Sequence, residues 1–260
     1  MTEPDLAQRL AVAEKVTRDA GALALRRFEA RHELAIERKG AQDFVTAADR
    51  DTETAIVEAL GRAFPGDGVL GEEHGQQGSG DWVWIVDPID GTANFVRGIA
   101  FWCVSLGLWH RGDAVLGVIH DPVRGETFSG GRGLGARCDG KPIRAAAGDD
   151  PHQARFALGF NHGQPIAQHL AVIRRLHEGG AESSRLGSAA LGLAYTAAGR
   201  LDGFWEGRIN SWDVCAGIAI ARAAGAAVDD FFAGQGPSRS AEVLVASPGL
   251  RDFLHRATRG

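Results

Sequence analysis

Apolar residues at Leu6, Leu10, Ala13, Val16, Ala20, Leu23, Ala24 and Phe28 recur at steps of three and four, with charged residues on the opposite face. That spacing predicts an amphipathic helix over 5–30. A short strand over 34–37 follows, then a polar stretch, Lys39-Gly40-Ala41-Gln42-Asp43, ahead of Val45-Thr46. Ile56, Val57, Leu60 and Ala63 predict a second helix over 48–63, stopped by Pro65-Gly66. Residues 69–75 read as a short strand running into a loop, and 76–80 as a polar connector. Trp82-Val83-Trp84-Ile85-Val86 is apolar without a break, which suits a strand covered on both faces and ended by Asp87-Pro88. Strands over 101–109 and 114–120 join through the turn Arg111-Gly112-Asp113, and strands at 126–129 and around Asp139-Gly140 continue the antiparallel pattern.

The second half alternates: strand 154–160, helix 165–178, strand 182–186, helix 188–199, strand 201–206, helix 212–225, strands 226–230 and 241–246, and a terminal helix from 248. Hairpins first and mixed strands and helices afterwards predict an α+β fold of stacked layers. The small, polar stretch 145–150 divides the chain into an N-terminal part, 1–147, and a C-terminal part, 148–260. We expect the two to pack as one unit with a site between them.

Composition narrows the class. The chain has 260 residues, 44% hydrophobic and 23% charged, ordinary for a folded protein and long enough for a large core. Glycine is abundant, 36 residues, which calls for many tight turns. The formal charge of −5 gives no basic face, so no nucleic-acid partner is expected. Three cysteines without a C-x-x-C pair suit a reducing compartment. The polar N-terminus is not a signal peptide, and no apolar run reaches the ~18–20 residues of a membrane span. We expect a cytoplasmic protein with no membrane partner.

The chemistry concentrates on four acids, Glu72, Glu73, Asp87 and Asp90. Carboxylates about 4 Å apart repel by roughly 4 kcal/mol at an effective dielectric of 20. Such a group persists if some acids protonate, if they splay into water, or if a cation sits between them. Carboxylate oxygens suit Mg²⁺, which also binds substrate phosphate. Gly91-Thr92 follows at once, and backbone N–H groups at such a turn can cradle an oxyanion. One D-x-x-D by itself is ordinarily an acidic surface turn. Here a wholly apolar strand delivers Asp87 and Asp90 together, with an acid pair 15 residues upstream.

Trp84-Ile85-Val86-Asp87-Pro88-Ile89-Asp90-Gly91-Thr92-Ala93-Asn94-Phe95 closely resembles the signature of the inositol monophosphatase family. Gly71-Glu72-Glu73 upstream and Trp212-Asp213-Val214-Cys215-Ala216-Gly217 downstream resemble it in the same order and spacing. The resemblance implies a layered αβαβα sandwich and hydrolysis of a phosphate monoester with two or three Mg²⁺ per site. It implies metal ligation by Glu72, Asp87, the Ile89 carbonyl, Asp90 and Asp213, with Glu73 behind them. It gives Asp49 a hydrogen bond to Thr92, the pair orienting the attacking water with Glu72; the plain alternative for Asp49 is a helix N-cap. Lys39 matches a basic loop position near the metals. Asp90, Gly91 and Thr92 would meet the phosphate. Gly187, Ser188, Ala189 and Glu206 would meet the leaving group's hydroxyls, and the plain alternative for Glu206 is a solvated acid. Lithium sensitivity and a homodimer are implied as family traits.

For substrate, the expectation is a small phosphorylated metabolite, first an inositol phosphate and then histidinol phosphate. Ala93 departs from the larger polar or basic residue the family often carries. Fructose 1,6-bisphosphate and adenosine bisphosphates rank behind, for want of an obvious basic cluster. A reading from another class is a catalytically inactive metal- or phosphate-binding regulatory module; the intact acids and Thr92 count against it. Gly131-Arg132-Gly133-Leu134-Gly135-Ala136 fits a dinucleotide fingerprint formally but leads into a hairpin. Cys215 reads as core.

Overall fold

The computed structural model describes residues 3–33, 36–40, 43–161 and 163–259, with backbone alone for 3–4, 33, 36–40 and 43–45. The first part holds α1 (Glu3–Glu29), β1 (Ile36–Gly40), β2 (Asp43–Thr46), α2 (Ala47–Ala63), β3 (Gly68–Gly71), β4 (Gly75–Gln77), β5 (Trp82–Asp90) and α3 (Thr92–Arg97). It continues with β6 (Cys103–His110), β7 (Asp113–Asp121), β8 (Glu126–Gly131), β9 (Gly135–Cys138) and β10 (Lys141–Pro142). The second holds β11 (Arg155–Leu158), α4 (Ile166–Glu178), β12 (Glu182–Ser184), α5 (Ala189–Ala197), β13 (Gly203–Asn210), α6 (Ser211–Ala223), β14 (Ala227–Val228), β15 (Ser240–Ala246) and α7 (Arg251–Arg259).

Eight strands form one sheet in the order β10-β9-β8-β7-β6-β5-β3-β4, and five form a second in the order β12-β11-β13-β15-β14. Both are mixed: β3 is parallel to β5, and β11 is parallel to β12 and β13. Helices α1 and α2 cover one face of the large sheet over Leu10, Ile56, Trp84 and Leu106. Helices α5 and α6 fill the space between the sheets over Phe128, Leu193, Ile218 and Val243. Helices α4 and α7 cover the outer face of the small sheet over Phe156, Leu176 and Leu254. The result is the α+β, αβαβα sandwich that the sequence led us to expect. α5 and α6, apolar nearly all round, are the layer buried on both sides.

Four local readings need correction. β5 does not end at Asp87: it runs through Pro88 to Asp90. Asp87 pairs with Ser105 and Asp90 with Cys103, so Pro88 and Ile89 stand opposite Val104 alone. In that bulge the missing proline N–H leaves no gap in the ladder. Residues 75–77 are not a plain connector but a short edge strand antiparallel to β3. The polar stretch before Thr46 is built from β1 and β2, an antiparallel pair; Ala41 and Gln42 lie outside the described residues, as do positions 34 and 35 of the first predicted strand. β13 also extends beyond residue 206, to Asn210.

Candidate active site

A cavity of about 680 Å³ opens where the two sheets and their shared helix layer meet, lined by Glu72, Asp87, Asp90, Thr92, Glu206 and Asp213 among others. Each comes from the end of an element. The bulge carries Asp87 and Asp90, and Asp87 Oδ1 accepts the Ile89 N–H at 3.0 Å, closing the bulge on itself. Gly91 follows with φ +101°, a conformation natural to glycine. A Cβ there would lie 3.1 Å from the carbonyl oxygens of both Gly187 and Phe101. Asn94 ties this turn to the second half: its Nδ2 donates to the Phe101 carbonyl at 2.8 Å and the Leu186 carbonyl at 3.0 Å.

One carboxylate oxygen from each of Asp87, Asp90 and Asp213 lies within 4.8 Å of the other two. Asp213 is the third residue of α6, and its Oδ2 accepts the Asn210 N–H at 3.1 Å. Glu72 hydrogen-bonds Asp87. Asp90 is clamped by the start of α5: Ser188 Oγ donates to its Oδ2, the Ala190 N–H donates to the same oxygen at 2.7 Å, and the Ala189 N–H to Oδ1 at 3.3 Å. The Ser188 hydroxyl also accepts the Leu191 N–H at 3.2 Å, capping the helix. It is therefore turned to Asp90 and α5.

Burial, with repulsion from Glu72, Asp90 and Asp213, holds the Asp87 carboxyl well above the usual range. Asp213 is raised well above it by burial and by Asp90 and Glu206. Asp90 is raised by burial, with the Ser188, Ala190 and Ala189 hydrogen bonds opposing. Glu206 is buried and pushed up to about 8 by desolvation and Asp90, with Arg185 opposing. Five acids, Glu72, Asp87, Asp90, Glu206 and Asp213, share one cavity, and each offers carboxylate oxygen. This carboxylate donor set fits hard divalent cations such as Mg²⁺.

Asp49 is not the cap of α2. Thr46 is, with Oγ1 accepting the Ala48 N–H at 3.1 Å, and Asp49 reaches back to accept the Thr46 N–H at 2.8 Å. Its other oxygen stands 3.2 Å from Thr92 Oγ1, which is also 2.9 Å from the Ile89 carbonyl. The hydroxyl has one proton and serves one acceptor at a time. Lys39 lies in β1, and its side chain is outside the described residues.

Four residues escaped the sequence reading. Asn94 is the tie just described. Glu53, one helical turn after Asp49, is buried and bonded to the 72–75 turn; the i,i+4 spacing on α2 was the available signal. Arg208, two residues after Glu206 on β13, and Asn161, whose Nδ2 donates to the Arg208 carbonyl, line the same cavity. Arg185 joins them, so the cavity wall has two arginines that no cluster in the sequence announced.

An αβαβα sandwich with an acidic cluster in a cavity at the junction of its layers is the architecture of the inositol monophosphatase fold. The chain belongs to the inositol monophosphatase family, whose profile matches residues 5–259. It is 38% identical over 230 residues to the Nus factor SuhB of Pseudomonas aeruginosa, covering 85% of each chain. To the Nus factor SuhB of Escherichia coli K12 it is 33% identical over 243 residues, 92% of this chain and 91% of the relative. Among solved structures it resembles the extragenic suppressor protein suhB of Bartonella henselae, with TM-score 0.91 and 35% identity over 97% of this chain and 98% of that one. The inositol monophosphatase of Anabaena gives TM-score 0.85 and 31% identity over 97% and 96%.

Proposed function

We propose that this chain is a Mg²⁺-dependent phosphate-monoester hydrolase acting on a myo-inositol monophosphate. The observation that carries the reading is the convergence of Asp87, Asp90 and Asp213 in the cavity that also holds Glu72 and Glu206. Glu72, Asp87, the Ile89 carbonyl, Asp90 and Asp213 would hold two or three Mg²⁺. Bound there, the ions supply a more acidic water and neutralise charge on the phosphoryl and leaving oxygens. The chain's own groups do the rest. Thr92, donating its hydroxyl hydrogen bond to Asp49, offers its lone pairs to the attacking water, and Glu72 stands beside it. The first-turn amides at Gly91 and Thr92 hold non-bridging phosphate oxygens. Glu206 and the backbone of Gly187, Ser188 and Ala189 receive the hydroxyls of the leaving group. Among the described residues no helix is long and apolar enough to cross a membrane, and the three cysteines are free; a cytoplasmic location is part of the proposal. A homodimer is part of the proposal, tested by sedimentation.

The name Nus factor, carried by the P. aeruginosa and E. coli relatives, favours a second reading in which this chain serves as a Nus factor too. Phosphate release separates the two. Inositol 1-phosphate, histidinol phosphate, fructose 1,6-bisphosphate and adenosine 3′,5′-bisphosphate are assayed with Mg²⁺ and with EDTA. Mg²⁺-dependent release, fastest from inositol 1-phosphate, is expected. Release from none of them would leave the second reading standing; faster release from another ester would move the substrate.

A further inference from the structure

Glu53 belongs to none of the motifs, yet it holds the turn from which Glu72 projects. Its side chain is fully buried on α2. Oε2 accepts the Glu73 N–H at 2.8 Å, and Oε1 accepts both the His74 N–H and the His74 ring N–H, each at 2.8 Å. An ionised carboxylate only accepts, so the imidazole proton sits on Nδ1. Gly71 makes room for the group: a Cβ there would fall 2.0 Å from Glu53 Oε1 and 2.4 Å from its carboxyl carbon. On the other side the Glu72 N–H donates to the Val86 carbonyl at 3.2 Å. Glu72 is thus fixed from both directions, by β5 through its own amide and by α2 through the two residues that follow.

We propose that Glu53 is a positioning residue for metal binding, holding the 72–75 turn so that the Glu72 carboxylate faces Asp87. The inference rests on Glu72 being a metal ligand, as read above. Three charge-assisted hydrogen bonds to a buried anion immobilise a turn that water would otherwise loosen. With Glu53 on one turn of α2 and Asp49 on the turn before, a single helix aligns both Glu72 and Thr92. Groups that hold a metal ligand in place from behind typically cost 10–100-fold in metal affinity when removed.

The test compares wild type, Glu53→Gln and His74→Ala by calorimetric titration with Mg²⁺, and by amide hydrogen exchange of the 72–75 segment in EDTA. Glu53→Gln keeps the shape but loses an acceptor; it is expected to bind Mg²⁺ about 10–100-fold more weakly and to exchange faster at residues 73 and 74. At saturating Mg²⁺ its KM for the ester stays near wild type. His74 is exposed, so His74→Ala removes one of the three bonds without threatening the fold and is expected to move both readouts the same way by less. A merely structural acid would lower the melting temperature and leave the Mg²⁺ affinity of the folded protein unchanged. Equal Mg²⁺ affinity in all three proteins overturns this inference and leaves the phosphatase reading intact. No Mg²⁺ uptake by the wild type overturns both.

Discussion

Ser188 donates its hydroxyl hydrogen bond to Asp90, 98 residues earlier in the chain. The same oxygen of Ser188 caps α5, so one side chain fixes both the helix between the sheets and an acid at the end of the large sheet's β5. With the Asn94 bonds to Phe101 and Leu186, this contact sets the two halves in register across the cavity.

Ser188→Ala removes a cap and a donor to a buried carboxylate at once. Loss of the cap alone costs about 1 kcal/mol. Asp90 Oδ2 keeps the Ala190 N–H and is held less firmly, so Mg²⁺ binding should weaken about tenfold. Thermal melts and calorimetry read the two effects separately, and a variant that melts lower but binds Mg²⁺ as well as wild type would show that Ser188 serves the helix only.

Asp213→Asn tests the cluster from the other side. The Asn carbonyl can keep the Asn210 N–H, while the amide replaces one of three carboxylates that repel within 4.8 Å. Relief of that repulsion should stabilise the metal-free protein by about 1–3 kcal/mol, and turnover should vanish. An Asp213→Asn protein that is less stable in EDTA than wild type would mean that its acid is not under electrostatic stress.

The same stress fixes a pH dependence. Asp87, Asp90 and Asp213 are raised above 3.8, and Glu206 is raised from 4.5 to about 8. The folded chain therefore keeps protons that the unfolded chain releases, so their contribution is complete below the ordinary values and is lost as pH rises through the raised ones. In EDTA, stability should fall from about pH 5 to pH 8. Mg²⁺ at a hundredfold excess over its Kd at pH 8 should add about 2.7 kcal/mol there, and the same concentration should add less towards the acid end, where the carboxylates are protonated. Urea melts across that range, with and without Mg²⁺, check both the slope and its reversal.

How much of this was legible in the sequence follows the physics of each signal. Apolar periodicity betrays elements that bury a face, which is why α1, α2, β5 and the helices of the second half were readable. β4 buries little, so its polar residues carry no alternation. Pro88 argued for a strand end because a proline removes a ladder donor; the bulge at Pro88-Ile89 is a pairing property and appears only when β6 is set beside it. Asp87, Asp90 and Asp213 were legible through motifs. Glu53 was not, because an acid on a helix reads as solvated until the turn it bonds has been placed.

The thiols give an inexpensive check of burial. Cys103 and Cys215 are fully buried and their thiols are held up by desolvation, Cys103 also by Asp90. Cys138 is half-buried, with its thiol raised less strongly by burial and Asp139. A disulfide reagent should modify Cys138 slowly in the native protein and the other two only after unfolding. Rapid native labelling of Cys103 would place solvent where the structure has a closed wall behind Asp90.

Asp213 reaches the cluster because α6 lies directly on the large sheet, and two paired glycines permit that approach. Gly107 of β6 stands opposite Gly117 of β7. A Cβ at Gly117 would lie 2.2 Å from the Ala216 carbonyl oxygen and 2.6 Å from its Cα; one at Gly107 would lie 2.8 Å from the Ala216 nitrogen. These are backbone atoms and cannot turn aside, so a methyl group must lift the helix that carries Asp213. Gly117→Ala should destabilise by about 3 kcal/mol, and Mg²⁺ affinity should fall with it. Gly61→Ala, on exposed α2 surface where a Cβ meets nothing, is the control and should stabilise by about 0.5–1 kcal/mol. A Gly117→Ala protein as stable as wild type would mean that α6 does not rest on these strands, and that some other contact sets the position of Asp213.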